Sequence, residues 1–308
     1  MRTFEDCVTV SENILMEGAV GERLKREYGM SFDPHVVMAR LIELEQGRAA
    51  LKAIWSEYIN IARSYNLPFM ATTPTRRADH DRMMAAGCEA ALLRKNAAFL
   101  RSIQQESGIE MYVGGMLGCR GDAYTGEGAL GEKEARKYHA WQAEEFARAG
   151  VDFLFAGLMP TLPEAAGMAQ AMSDAGIPGV ISLTIEANGC LIDGTRIADA
   201  VAYIDSATEH KPVCYMTNCV HPSIVYRAIS QPFNQCELVR SRFFGVQANT
   251  SPLSYKELDK AIELRSSNPE ALARSMMRLR EIMDLRILGG CCGTDGRHME
   301  AIARAVRC

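Results

Sequence analysis

Eight short apolar segments, each followed by a stretch with helical patterning, restrict the fold of this chain more than any other feature. Short, continuous apolar runs of this kind are typical of parallel strands that are buried on both faces. The predicted strands are residues 14–17, 68–72, 111–115, 151–156, 179–183, 212–216, 243–248 and 286–290. The clearest predicted helices are residues 133–150, 163–175, 254–264 and 298–306.

Strands that alternate with helices eight times over 308 residues predict an α/β fold, a single (β/α)8 barrel spanning residues 1–308. The alternative is an open, doubly wound sheet, which would carry a glycine-rich phosphate fingerprint after its first strand. Residues 17–21 contain two glycines but lack the third at the required spacing, so the barrel is favoured. Residues 28–65 exceed one barrel helix and predict an additional loop or helix.

Composition narrows the functional classes. The chain is 48% hydrophobic, which is ordinary for a globular protein, and its net charge of −4 argues against a dedicated nucleic-acid surface. No apolar run is long enough for a membrane helix, and the first residues do not resemble a signal peptide. We therefore expect a cytoplasmic protein whose ten cysteines are buried, catalytic or metal-bound rather than paired in disulfides.

Three of these cysteines are predicted to share one metal ion. Cys219 follows the predicted sixth strand, and Cys291 and Cys292 follow the eighth. The loops that follow barrel strands meet at one end of the fold, so the three thiols can converge although about 70 residues separate them. Three thiolates and one open position suit a catalytic zinc ion, and a thiol that enters the open position loses its proton.

The glycines beside this pair favour the same interpretation. A vicinal cysteine pair alone is more typical of buried structural thiols, but glycine lets the backbone bend so that both neighbours reach one ion. The glycines concerned are Gly289, Gly290 and Gly293.

The motif Gly-Gly-Cys-Cys-Gly-Thr at residues 289–294, with Asn218-Cys219 upstream, resembles the signature of the homocysteine S-methyltransferase family. The similarity extends over nearly the whole chain through residues 17–21, 71–75, 149–154, 182–184 and 191–195. This resemblance implies a zinc-dependent barrel in which the three cysteines hold the metal and the sulfur of homocysteine fills the open position. The implied product is methionine, which places the enzyme in methionine biosynthesis.

Two positions depart from the family pattern. Family members usually have Asp where this chain has Glu17, and Glu where it has Gly157. In the family these acids receive the amino group of homocysteine, and Glu17 can still do so, whereas Gly157 cannot. Either another acid compensates, with Glu186 as the candidate, or the acceptor is a thiol that lacks the amino group.

Several polar residues near strand ends are candidates for substrate binding. Asn218 and Asn249 are expected either to donate hydrogen bonds to a substrate carboxylate or to stabilise loops. Tyr124, in the third loop, is expected to close over the site. The hydroxyls predicted either to line the pocket or to cap helices are those of Thr72, Thr73, Ser182 and Thr184.

Three histidines and the seven other cysteines are expected to play no metal-binding role. The histidines interpreted as ordinary side chains are His139, His221 and His298. The cysteines interpreted as core or surface thiols are Cys7, Cys88, Cys119, Cys190, Cys214, Cys236 and Cys308.

The predicted function is zinc-dependent transfer of a methyl group to a thiol. Because the chain is too short to append folate and cobalamin domains to a full barrel, the expected donor is S-methylmethionine, S-adenosylmethionine, betaine or a corrinoid protein acting in trans. Two alternatives remain at this stage. One is a non-catalytic zinc-binding barrel that acts as a sensor or assembly partner, and the other is a disulfide switch between Cys219 and one of the vicinal cysteines.

Overall fold

The computed structural model describes residues 2–253 and 267–307, and its eight parallel strands close into a barrel in chain order. The strands are β1 Ile14–Met16, β2 Phe69–Thr72, β3 Met111–Gly118, β4 Phe153–Met159, β5 Gly179–Leu183, β6 Cys214–Val220, β7 Phe243–Ala248 and β8 Ile287–Gly290. The predicted (β/α)8 barrel is thus confirmed, and the open-sheet alternative is wrong.

Helices alternate with these strands. Within the described ranges they are α1 Phe4–Val10, α2 Gly21–Tyr28, α3 Glu45–Ser64, α4 His80–Ala85, α5 Ala91–Ser107, α6 Glu132–Ala149, α7 Leu162–Asp174, α8 Ile197–Ala207, α9 Pro222–Ile229, α10 Glu237–Arg242, α11 Pro269–Arg278 and α12 Gly296–Ala305. Short 3-10 turns lie at Ala39–Glu43, Pro232–Asn234 and Leu279–Glu281. No helix in the described part of the chain is long and apolar enough to cross a membrane.

Most sequence-based boundaries agree with these elements to within a few residues. The long segment 28–65 contains, as expected, an additional turn, Ala39–Glu43, before α3. The predicted helix 254–264 lies outside the described residues. One placement is wrong: Cys219 belongs to β6 itself rather than to the loop after it, because β6 continues to Val220.

The barrel interior is filled with large apolar side chains and is closed at its amino-terminal end. Phe4 of α1 stacks on Phe153 with ring centroids 4.3 Å apart and meets Tyr112 edge-on at 5.6 Å. Thr3 caps α1 by accepting a hydrogen bond from the backbone N–H of Asp6. The amino-terminal helix therefore forms a floor, which leaves the opposite end of the barrel as the open mouth.

Two bulges shape that mouth. The strand register shifts at Leu158 on β4 and at Cys219 on β6, and both residues adopt left-handed backbone angles, with φ of 57° and 60°. A β-bulge bends its strand and re-aims the side chain that it carries. The backbone N–H of Leu158 donates to Oδ1 of Asn218 at 3.2 Å, which joins the two bulged strands across β5.

Candidate active site

Cys219, Cys291 and Cys292 converge at the mouth. Their three sulfur atoms all lie within 4.8 Å of one another, and the sulfurs of Cys219 and Cys292 are 3.5 Å apart. The bulge on β6 brings in Cys219, and the turn that follows β8 brings in the vicinal pair. The structure therefore gathers the three thiols that the sequence predicted to share an ion.

The turn after β8 is held rigidly. Gly293 adopts φ of 84°, and a Cβ there would lie 1.9 Å from Oγ1 of Thr250, so only glycine fits. The hydroxyl of Thr294 donates to the carbonyl of Cys291 at 2.7 Å and accepts the N–H of Ala19 at 3.0 Å. Gly293 thus provides the backbone bend that was expected of it. Gly290 has a different role: a Cβ at this position would lie 2.4 Å from the Thr294 hydroxyl, so glycine here allows close packing.

The thiols influence one another electrostatically. Hydrogen bonds from Cys291 and Cys292 lower the pKa of Cys219 well below its ordinary value. The same contact with Cys219 raises the pKa of Cys291, and burial adds to that effect. Three like charges this close cannot all form without a cation between them. The sulfur-only donor set, with every atom within reach of one ion, fits a thiophilic metal such as zinc.

Two further side chains act on the Cys219 thiol. Nδ2 of Asn249 donates to its sulfur at 3.7 Å, while Oδ1 of Asn249 accepts the backbone N–H of Ser251 at 2.9 Å. The neighbouring phenol of Tyr124 adds to the lowering of the pKa of Cys219. Burial and the charges of Cys219 and Cys291 raise the pKa of Tyr124 well above its ordinary value, so the phenol remains a donor.

The loop that carries Tyr124 is fixed by a buried acid. Glu164 of α7 is fully buried and accepts the backbone N–H of Arg120 at 2.7 Å and that of Leu130 at 3.4 Å, one near each end of the loop. Nε2 of His139 lies 3.1 Å from the same carboxylate. Tyr124 therefore reaches the thiols from a loop that is held at both of its ends.

Glu17, directly after β1, is a buried carboxyl with three hydrogen bonds. It accepts the indole N–H of Trp55 at 2.6 Å, the hydroxyl of Thr72 at 2.5 Å and the backbone N–H of Thr72 at 3.0 Å. Burial raises the pKa of Glu17 from 4.5 to about 7, although these hydrogen bonds oppose the rise. Trp55 lies on α3, so the long segment 28–65 supplies a partner for this acid.

Neither Gly157 nor Glu186 provides a second acid at the thiols. A Cβ on Gly157 would lie 2.8 Å from the terminal methyl of Met116, so a methionine fills that space. The described contacts of Glu186 are local: its carboxylate accepts the side-chain amide of Asn188 at 3.4 Å, and its backbone N–H bonds to Cys190.

The other predicted substrate contacts fall into two groups. The hydroxyl of Ser182 donates to Oδ1 of Asn218 at 2.5 Å, and the buried hydroxyl of Thr184 has no partner within the described residues. These side chains lie together where β5 and β6 end. The hydroxyl of Thr73 instead bonds to Thr75 at 2.7 Å and accepts the N–H of Met116, a link between β2 and β3.

The histidines and the remaining cysteines lie elsewhere. The side chain of His221 caps α9 through the N–H of Ser223, and His298 forms the capping box of α12 with Asp295. The described cysteines outside the cluster are in no disulfide: Cys7, Cys119 and Cys214 are buried, Cys88 and Cys190 are half-buried, and Cys236 is exposed. Cys308 lies outside the described residues.

The sequence reasoning did not single out Trp55, Met116 or Glu164. Trp55 lies in a segment whose apolar pattern signals only a helix, and Met116 looks like any core methionine. Glu164 could have been recognised, because an acid on the apolar side of a predicted helix must be buried and therefore needs a hydrogen-bond partner.

A closed eight-stranded barrel with three convergent thiols at its mouth has the donor set of a thiolate metal centre at the end where barrels of this kind carry their active sites. The homocysteine S-methyltransferase family matches residues 14–306. The chain belongs to this family and is by class a methyltransferase.

Solved structures agree on the fold. The metallated form of the homocysteine methyltransferase MmuM from Escherichia coli superposes with a TM-score of 0.76 at 18% identity, with 97% of this chain and 98% of that chain covered. The oxidized form of the same enzyme gives a TM-score of 0.75 at 18% identity, with 98% of each chain covered. No curated protein sequence matches this chain.

Proposed function

We propose that the chain is a zinc-dependent S-methyltransferase that transfers a methyl group from a small donor to a thiol. Homocysteine is the acceptor that the family suggests, which would make methionine the product. Cys219, Cys291 and Cys292 would hold the ion. The observation that carries the proposal is the mutual approach of their sulfurs to within 4.8 Å at the barrel mouth.

The chemistry divides between metal and protein. Zinc at this site would lower the pKa of a thiol that reaches the ion, so no strong general base is needed. The transfer forms a bond between the acceptor sulfur and the methyl carbon. The bond between that carbon and the donor atom breaks, the donor atom keeps the electron pair and leaves, and the thiol proton passes to solvent. Asn249 would orient the Cys219 thiolate through its side-chain amide, and the neighbouring phenol of Tyr124 would favour the same charged form.

Metal analysis of reduced protein tests the site directly. We expect about one zinc per chain in the wild type, as for a single three-thiolate centre, and loss of zinc in Cys291→Ser. Cys236→Ser is the matched control, since Cys236 is exposed and lies outside the cluster. Cys291→Ser should also reduce homocysteine methylation by more than the 10- to 100-fold typical of outer-shell changes.

The donor is found by comparing S-methylmethionine, S-adenosylmethionine, betaine and a methylated corrinoid protein in the same assay. Protein that is purified reduced but metal-free, and that methylates no thiol with any of these donors, would show that the proposal is wrong.

A further inference from the structure

Two arginines in the loop after β2 stand out because neither forms a salt bridge with another described residue. Arg76 and Arg77 are half-buried, and neither lies within 4.0 Å of a carboxylate in the described part of the chain. Arg77 donates to the carbonyl of Gly121 at 3.0 Å. The nearby Asp79 is already engaged, since it pairs with Arg82 and accepts the hydroxyl of Tyr138.

The stem of Arg76 lies inside the rim of the barrel. A Cβ on Gly118 would be 2.7 Å from Cγ of Arg76 and 2.6 Å from its carbonyl oxygen, so the arginine crosses directly over this glycine. Gly118 ends β3 and pairs in register with Gly157 of β4. Tyr112 and Met116, on the same face of β3, belong to the barrel interior, and strand alternation places Gly118 on that face too.

Arg76 also belongs to the segment that holds the loop of Tyr124. Its neighbour Arg77 donates to the carbonyl of Gly121 in that loop at 3.0 Å, and Arg76 itself lies over Gly118 at the end of β3. Arg76 is therefore part of the same mouth that carries the three thiols.

The same rim is poor in groups that would bind a cation. The carboxyl of Glu17 already accepts three hydrogen bonds, and its raised pKa leaves it only partly ionised near neutral pH. The space beside Gly157 is filled by the methyl of Met116. The carboxyl of Glu22, beside the vicinal cysteines, is also engaged, since it accepts the backbone N–H of Gly293 at 2.6 Å and pairs with Arg26. Among the described residues, a substrate at this mouth therefore meets a guanidinium without an acid partner and an apolar wall.

We propose that Arg76 determines acceptor specificity by pairing with a carboxylate on the thiol substrate, and that the site does not require an amino group on that substrate. This rests on the proposed thiol methyl transfer. A half-buried guanidinium without an acid gains most from a carboxylate, which it can bind through two parallel hydrogen bonds. The arginine stem over Gly118 sets where that carboxylate lies relative to the thiols.

Three acceptor thiols distinguish the contribution of the amino group from that of the carboxylate. They are homocysteine itself, its analogue without the amino group and its analogue without the carboxylate. With wild-type holoenzyme we expect kcat/KM for the first two to agree within about tenfold. The analogue without the carboxylate should be poorer by about 10- to 100-fold, the usual cost of losing a charge-assisted hydrogen bond.

Arg76→Met keeps the stem over Gly118 and removes the charge. It should lower kcat/KM for both carboxylate-bearing thiols by about 10- to 100-fold and leave the third thiol unchanged. Arg76→Lys should restore part of the loss. Arg120→Gln is the matched control, because the exposed side chain of Arg120 already lies near Asp81. All variants should retain wild-type zinc content.

A loss in Arg76→Met that is equal for all three thiols would overturn the proposal, as would a loss that follows the carboxylate of the donor instead of that of the acceptor. Calorimetric binding of the methylated product that lacks the amino group gives a readout that needs no turnover. This product should bind the wild type about 10- to 100-fold more tightly than Arg76→Met. Equal binding would refute the role of Arg76 even if methyl transfer itself is established.

Discussion

The two ends of the barrel handle polar groups and backbone strain in opposite ways. At the amino-terminal end, Asp205 pairs with Arg242 through two hydrogen bonds of 2.9 and 3.0 Å and also accepts the hydroxyl of Tyr215. Left-handed backbone positions at this end fall on residues that tolerate them, namely Gly108, Gly150, Gly176 and Asn66.

At the mouth, the backbone is more strained and more buried polar groups among the described residues lack hydrogen-bond partners. Its bulges force Leu158 and Cys219 into left-handed conformations that cost about 1–2 kcal/mol each for residues with a side chain. The hydroxyls of Thr161 and Thr184 are buried without a partner in the described ranges. Arg76 has no acid. The contrast indicates that the closed end supplies stability, whereas the mouth accepts strain in order to place its sulfurs and charges.

Phe4→Ala breaks the floor and should have the largest effect on stability. Phe4 is 3% exposed and stacks on Phe153, so its removal leaves a cavity in the barrel interior. We expect the free energy of unfolding to fall by about 3–5 kcal/mol, measured by urea denaturation. Zinc content in the folded protein should stay the same, because the floor and the thiols lie at opposite ends.

Val10→Ala on the same helix is the control. Val10 is 61% exposed, so its truncation should change stability by no more than about 0.5 kcal/mol. Loss of zinc from folded Phe4→Ala protein would show that the two ends are energetically coupled and that the contrast between them fails.

Glu17→Gln tests how much stability is lost because the Glu17 carboxyl is buried at the mouth. The folded pKa of Glu17 is about 7, above its ordinary value of 4.5, so the folded protein keeps a proton that the unfolded chain releases between these values. Stability must therefore fall as the pH rises from about 4.5 to about 7, by about 3 kcal/mol from this group. Glu17→Gln cannot ionise and should lose this part of the slope.

The measurement is the free energy of unfolding of both proteins between pH 4.5 and 8 at matched zinc content. The amide of the Glu17→Gln variant turns an NH2 group toward the donors of Trp55 or Thr72, so its stability at pH 5 should be lower than that of the wild type. Parallel curves for the two proteins would contradict the raised pKa.

The strands and the thiol motifs could be predicted from the sequence, whereas the strained and long-range features of the mouth could not. The eight strands were recognisable because burial on both faces of a parallel barrel demands continuous apolar runs, and the thiols because their motifs follow or end two such runs. The bulge that places Cys219 within β6 was not recognisable, because left-handed geometry at a cysteine has no local signal. Nor were Trp55 and Arg76, since their roles depend on contacts with Glu17 and Gly118 across the barrel rim.

Asn249→Ala should have the smallest effect of these substitutions, a change in zinc affinity at the mouth. Nδ2 of Asn249 donates to the Cys219 sulfur at 3.7 Å, and partners of this kind typically contribute 10- to 100-fold to metal affinity. We expect the zinc dissociation constant, measured by chelator competition, to rise by about that factor with little change in unfolding of the metal-free protein. Asn234→Ala is the control: this buried asparagine bonds to the carbonyls of Gly189 and Ala228 and to no cysteine, so its loss should destabilise the metal-free protein and leave the zinc dissociation constant unchanged. If Asn249→Ala destabilises the metal-free chain as much as Asn234→Ala does, Asn249 serves the loop through Ser251, and its bond to sulfur contributes little.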